Sequence, residues 1–444
     1  MRRVRVLVAG AGLAGLTAAR LLERAGAEVT VIEARARVGG RVHTIRGFEK
    51  RQHAEAGADL IEADQAELVG LAMELGLPTV RILSGGWGFY GASQNGKRKV
   101  RDEVDTFARV ADLLTPEIRA YKAADSRWDS EVSRWLARQS VRDWIERTQP
   151  GTDLAAGLCG LRGFFLADPD RLSLLQLVDQ FASDDIPGEG SMFRLRDGND
   201  ALPSALAAAL RGPVSLNTAL TAIARRGSKL RVSVRDRGPH QVTADYAVVA
   251  LPASTLRSVR FDPALPAPQW QAISMLRYGR ATRVLLQFET RFWKHIGRPI
   301  AYGTDQPTGA VWDANEQQDA RPGILSLLAG GRASAEVKTI IGTQGWRALV
   351  RRLTWMGTPS RLLHGLTVDW DRDKWSKGGY AVFDTRFDPA LRPWLARPAG
   401  RIVFAGEHTS TRWQGYMNGA IESGKRAALE VALMARLDYR GIVG

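Results

Sequence analysis

The run VRVLVAGAGLAGLTAARLLERAGAEVTVIEA at residues 4–34 constrains this chain more than any other stretch. Val4 to Gly10 is almost continuously apolar, the pattern of a strand covered on both faces of a parallel sheet. Gly10-Ala11-Gly12-Leu13-Ala14-Gly15 follows and fits G-x-G-x-x-G. From about Leu13 to Ala25, Leu16, Ala19, Leu21 and Leu22 share the inward face of a helix; Gly26 ends it, and AEVTVIEA reads as a second parallel strand. In this setting Gly10 permits the tight turn, Gly12 lets a pyrophosphate approach the backbone, and Gly15 allows close packing of helix on strand. The helix amino terminus offers free N–H groups and a positive dipole end to phosphate. Glu33, about 20 residues on, is placed to accept hydrogen bonds from adenosine ribose hydroxyls. A dinucleotide is therefore expected, and FAD and NAD both satisfy this much.

A second Gly-rich run, RIVFAGEHTSTRWQGYMNGAIESGKRAA at 401–428, reads as strand, turn and a helix from about Tyr416, and rejoins the first unit. Between the two ends, residues from about Leu68 to Asp184 read as helices, such as RDEVDTFARVADLLTPEIRAY, separated by loops such as SGGWGFYGASQNGK. Strand patterns return in LRVSVRD and DYAVVALP, then in ATRVLLQFE, ILSLLAG and GLTVDW. There is no internal repeat and no low-complexity linker.

Charge and cysteine content exclude several classes. The net charge of +15 comes from 52 arginines and 10 lysines scattered along the chain, with no nucleic-acid motif beside them, so nucleic acid is not an expected partner. The single Cys159 excludes an internal disulfide and a Cys-based metal site, and the six histidines form no cluster; no metal is expected. No apolar run reaches spanning length, and with a strand starting at Val4 and a short mixed helix at the tail, neither a signal peptide nor a carboxyl-terminal membrane anchor is expected. The expected compartment is the cytoplasm.

The stretch after Glu33, ARARVGGRVHT, resembles the FAD-binding signature of the flavin-containing amine oxidase superfamily, of the monoamine and polyamine oxidase kind. It favours FAD over NAD and implies that Ala34, Arg35, Gly39, Gly40 and Arg41 line the cofactor, Arg41 as a fixed cation at the pyrophosphate. The resemblance extends over essentially the whole chain. AEAGADLIEADQ at 54–65 implies backbone at Gly57 and Ala58 over the flavin, and SLNTALTAI implies a main-chain adenine contact at Leu220. In FAGEHTSTRWQGYMNGAIESGKRAA the resemblance places Glu407 by the ribityl–pyrophosphate stretch, and Gly415, Met417 and Ala420 at a helix start aimed at the flavin C2 carbonyl. Such a terminus stabilises negative charge on the reduced ring.

The implied fold is α/β. A Rossmann-like FAD-binding domain of the glutathione-reductase type occupies 1–70, 200–275 and 395–444, interleaved with an α+β substrate-binding domain over 71–199 and 276–394. Through WSKGGYAVF and QGYMNGA the resemblance makes Tyr380 and Tyr416 the two aromatics that sandwich a substrate amine. Gly379 stands where mammalian monoamine oxidases carry a flavin-bonding Cys, so the FAD is expected to be non-covalent. Arg283 stands where most relatives carry a Lys that reaches flavin N5 through water, and either an active-site or a salt-bridge role is open to it. Ile61 occupies the place of the carboxylate-clamping Arg of L-amino acid oxidases, which disfavours α-amino acids. Glu62 matches a plant polyamine oxidase Glu, and both a substrate contact and a solvated loop position are open.

The implied activity is FAD-dependent amine oxidation, with hydride transfer from the α-carbon to N5, imine hydrolysis and reoxidation by O2 to H2O2. The partners are a small-molecule amine and O2, and a homodimer is a family-level expectation. Alternatives are a desaturase or protoporphyrinogen oxidase-like flavoenzyme, amine oxidation on a dedicated secondary-metabolite intermediate, and a non-catalytic flavin-bearing interaction module.

Overall fold

The computed structural model describes residues 3–92, 97–160, 162–182 and 191–443. Four parallel strands from three distant stretches form one sheet: β1 (Arg5–Ala9), β2 (Glu28–Ile32), β3 (Tyr246–Val249) and β4 (Ile402–Phe404), in the order β2-β1-β3-β4. In register, Val8 lies between Val31 of β2 and Val248 of β3. Alternation along β1 explains its unbroken apolar run. Val6 and Val8 face one cluster with Leu16, Leu22, Ile421 and Val431, whereas Leu7 and Ala9 face another with Ala247, Val249 and Phe404. The first cluster is covered by α1 (Leu13–Arg24) and α2 (Met417–Ala435). These helices touch at Gly424, where a Cβ would meet the Ala14 carbonyl oxygen at 2.4 Å.

Beside this unit lies a seven-stranded sheet in the order Leu362–Asp369, Ala281–Phe288, Gly323–Gly330, Ala310–Asp313, Ala301–Thr304, Gly88–Ala92 and Arg98–Asp102. The Ala281–Phe288 strand is buried at all eight residues, sandwiched between antiparallel neighbours. Helices Glu103–Ala123, Glu131–Arg138, Val141–Thr148 and Leu174–Phe181 pack their apolar faces into the second cluster. Ser130, Ser140 and Ser173 cap the last three of these through their hydroxyls. A four-stranded sheet, Pro239–Ala244, Lys229–Arg235, Ala219–Arg226 and Arg260–Asp262, flanks the parallel one. Among the described residues no helix is long and apolar enough to cross a membrane.

Two parts of the middle stretch differ from the sequence expectation. SGGWGFYGASQNGK, expected as a loop, contains the strand Gly88–Ala92, paired with Arg98–Asp102 and parallel to Ala301–Thr304; residues 93–96 lie outside the described set. Its glycines hid the strand, yet they have a packing reason: a Cβ at Gly88 would lie 2.5 Å from the Tyr302 ring. Thr79–Ile82, within the stretch expected as helical, pairs with Met192–Leu195. Residues 183–184 of that stretch also lie outside the described set.

Candidate active site

The β1–α1 turn is built as its spacing requires. Gly10 has φ +103°, a conformation open to glycine, and its N–H donates to Ile32 O at 2.8 Å. Gly15 sits so close beneath the turn that a Cβ would meet Gly10 O at 1.9 Å. Gly12 is the opposite case, since a Cβ there would meet nothing within 4 Å. It faces a cavity of about 1120 Å³ that runs from this turn to Tyr380 and Tyr416.

The cavity wall gathers segments far apart in sequence. The Glu33 carboxylate accepts from Ala11 N and Arg35 N, both at 2.8 Å, and ties the end of β2 to the turn. Thr218 N–H donates to Glu33 O and Asn217 N–H to Arg35 O, which docks the stretch leading to Leu220 along the same end. The Arg35 guanidinium forms a bidentate pair with Asp373, both contacts 2.6 Å, and holds the loop carrying Trp375 and Ser376 against the wall. Gly39 N–H donates to Ala11 O at 2.8 Å, which lays the Gly39-Gly40 step across Gly12. Arg41 then donates to Gly379 O at 2.6 Å and Glu407 Oε1 at 2.9 Å, while Glu407 Oε2 accepts from Gly415 N at 3.0 Å. This Arg41–Glu407 pair joins three separated segments.

Gly57 and Ala58 form the adjoining wall, and a Cβ at Gly57 would meet Arg41 O at 1.9 Å. Opposite, Tyr416 is the N-cap of α2 with no side-chain capping bond, so Met417 and the first turn keep donors free of capping side chains beside the cavity. The two tyrosines are fixed by their hydroxyls. Tyr380 OH donates to Phe164 O, and Tyr416 OH accepts from Gln180 Nε2 at 3.3 Å. Burial pushes both phenol pKa values up, and the charge of Glu62 raises that of Tyr416 further, so both remain neutral. Gly415 brings α2 against Tyr380; a Cβ there would lie 3.4 Å from its ring.

Nearly every residue singled out from sequence lines this cavity: Gly10, Gly12, Ala14, Glu33, Ala34, Arg35, Gly39, Gly40, Arg41, Gly57, Ala58, Glu62, Leu220, Arg283, Tyr380, Glu407, Gly415, Tyr416, Met417 and Ala420. Gly15 packs beneath it instead. Ile61 is a correction. It shares the short strand Ile61–Glu62, and strand alternation that turns Glu62 to the cavity turns Ile61 into the core with Leu68 and Leu195.

Arg283 is not at the surface. It is 4% exposed, donates to Ser326 Oγ and Gly57 O at 2.7 Å each, lies 3.7 Å from Asp59 Oδ2, and stands 4.6 Å from the Trp312 ring centroid. Burial lowers its pKa while Asp59 opposes the shift. Asp59, Arg194, Trp312 and Gln180 were not singled out from sequence. Asp59 lies in the quoted GADLIE run, but nothing local marks it as a charge partner.

The family model for flavin containing amine oxidoreductases matches residues 13–432. A Mycobacterium tuberculosis protein named as a flavin-containing monoamine oxidase, AofH, is 29% identical over 472 aligned residues, covering 97% of this chain and 97% of that one. Among solved structures, cyclohexylamine oxidase from Brevibacterium oxydans superposes with a TM-score of 0.85 at 22% identity, over 98% of this chain and 100% of that one. Putrescine oxidase bound to putrescine superposes at 0.83 and 23%, over 97% and 99%. The likeness to these two structures is one of fold.

Proposed function

The chain belongs to the flavin-containing amine oxidoreductase family, and from that premise we propose that it holds FAD non-covalently in this cavity and oxidises an amine with an apolar body. The observation that carries the reading is that Gly12, with open space before it, and the half-buried pair Tyr380 and Tyr416 face one continuous cavity. The residues fit the cofactor. Gly12 and Gly40 leave room for a pyrophosphate, Glu33 stands at the adenosine end, and the first turn of α2 faces the far end. The volume of about 1120 Å³ exceeds that of a typical small-molecule pocket, as a large cofactor plus a substrate requires. We assign the FAD-binding domain to 1–70, 200–275 and 395–444 and the substrate-binding domain to 71–199 and 276–394.

When bound, the flavin would supply an acceptor for the hydride of the amine α-carbon and a route for that electron pair to O2, the resulting imine being hydrolysed by water. The chain's own residues bind and orient. Tyr380, anchored on Phe164 O, and Tyr416, held by Gln180, present neutral rings between which an amine can be aligned. Trp87, Phe164, Phe181 and Leu328 exclude water around the rest of the substrate, which favours an aryl or alkyl body. Glu62 adds one carboxylate to that wall for a cationic group. Arg283 stays protonated and cannot serve as a base. Gly379 supports non-covalent binding, since it carries no nucleophile and a Cβ there would lie 2.3 Å from Leu166 Cδ1.

The test is anaerobic mixing of the FAD-loaded protein with aryl-alkyl amines, diamines, polyamines and L-amino acids. Bleaching of the visible flavin band by apolar monoamines, and its return on admitting air, is the expected result. A loaded protein that no amine bleaches would overturn the reading.

A further inference from the structure

The wall at Gly57 carries a buried charge cluster whose members compensate one another unequally. Asp59 is its central anion, 5% exposed. Its Oδ1 accepts from Arg194 Nε at 2.5 Å and its Oδ2 from Trp312 Nε1 at 2.8 Å. Arg194 is 1% exposed and directs its remaining nitrogens to Gln317 Oε1 and Asp313 O, both at 3.3 Å. Arg283 is the outer cation. It reaches Asp59 only at 3.7 Å, and its close contacts are neutral: the Ser326 hydroxyl, the Gly57 carbonyl and the Trp312 ring. Its Nε is buried without a hydrogen-bond partner among the described residues.

The remaining neighbours do not correct this imbalance. Besides Asp59, the groups acting on Arg283 are Arg194, Glu55 and Tyr380. Tyr380 is neutral. Glu55 is 2% exposed, with its carboxyl receiving the Thr44 hydroxyl and the Asn199 N–H; burial and then the Asp59 charge push its pKa up to about 8, so it is mostly protonated at neutral pH. Two guanidiniums thus share one carboxylate, and the nearer of the two takes most of it. A buried cation left in this state is costly unless another anion completes the set. Arg283 lines the cavity, so an anion bound there can complete the set.

We propose that Arg283 is left under-compensated by the protein so that negative charge on the bound flavin completes the cluster, and that Asp59, clamped by Arg194 and Trp312, is the positioning residue that sets the size of that surplus. This rests on the reading that the cavity holds FAD. The cluster then favours the reduced, anionic ring over the oxidised one, and the two partners act with opposite sign: removing Arg283's charge disfavours reduction, and removing Asp59's charge favours it.

The experiment is a dye-coupled redox titration of FAD-loaded wild type, Arg283→Met, Arg283→Lys and Asp59→Asn. For Arg283→Met the two-electron reduction constant should fall about tenfold, about 30 mV. Arg283→Lys should stay within about threefold of wild type, and Asp59→Asn should move about tenfold the other way. An unshifted Arg283→Met overturns the inference, as does a shift of the same sign in Arg283→Met and Asp59→Asn. Should Asp59→Asn not fold, the Met and Lys variants decide the matter, since charge and not shape separates them. A wild-type protein that takes up no FAD overturns the underlying reading together with the inference.

Discussion

Gly12 and Gly15 differ by three positions and by opposite surroundings, which makes their alanine variants a sharp test of where the pyrophosphate lies. Gly12 has φ −80° and ψ 179°, extended backbone that alanine adopts without strain, and no atom lies within 4 Å of the added Cβ. Gly12→Ala should therefore leave the apoprotein's stability within about 0.5 kcal/mol of wild type. With FAD bound, the methyl stands in the approach to the helix terminus. Loss of one charge-assisted hydrogen bond costs about 1.5–3 kcal/mol, and so a weakening of roughly 10- to 150-fold. Gly15→Ala behaves differently. Its Cβ would lie 1.9 Å from Gly10 O, against a comfortable separation of roughly 3.5 Å, so the helix start must retreat by about 1.5 Å. The overpacking costs about 1–3 kcal/mol before any cofactor is added. Urea unfolding of the apoproteins and FAD titration by flavin fluorescence separate the two effects. A Gly12→Ala protein with wild-type FAD affinity would refute a pyrophosphate at this turn, and a destabilised apo form would refute the open approach to it.

The other predictions concern the far end and the proton balance of the fold. Tyr380→Ala and Tyr416→Ala should each slow flavin reduction by an amine about 10- to 100-fold with FAD still bound; unaltered reduction rates would remove both rings from the substrate site. Acid precipitation of the holoprotein should release the flavin to the supernatant, whereas yellow colour kept in the pellet would contradict non-covalent binding. His408 is 2% exposed, and burial drives its pKa down to about 4 from 6.5. Because the folded value is depressed, the unfolded chain binds the extra proton first: stability holds above pH 6.5 and is lost toward pH 4. The loss amounts to about 3 kcal/mol. His408→Leu should flatten the urea-stability slope over this range by about one proton, and an unchanged slope would show that His408 is not held neutral.

Local pattern carried much of this protein. The β1–turn–α1 unit, the strands around Val248 and Val403, and the helix from Met417 are each written in a few consecutive residues, because a strand buried on both faces or a tight glycine turn constrains its own sequence. Tyr380, Tyr416, Arg41 and Glu407 were singled out only through resemblance to a family, and the fold brings all four to one cavity wall. Three features were not legible in the sequence. The strand Gly88–Ala92 follows no strand pattern, since Gly88 answers to the Tyr302 ring more than 200 residues away in sequence. Ile61 and Glu62 were both expected on the substrate side and only Glu62 reaches the cavity, because neighbouring strand residues face opposite ways and only pairing with Phe193 and Met192 fixes which side is which. The state of Arg283 depends on Asp59, which Arg194 takes from 135 residues away. Periodicity reports how a segment meets water and its nearest neighbours, and the sequence by itself determined that much. Whether a buried charge is compensated depends on which distant groups the folded chain brings within a few ångströms, and only the tertiary structure decided it.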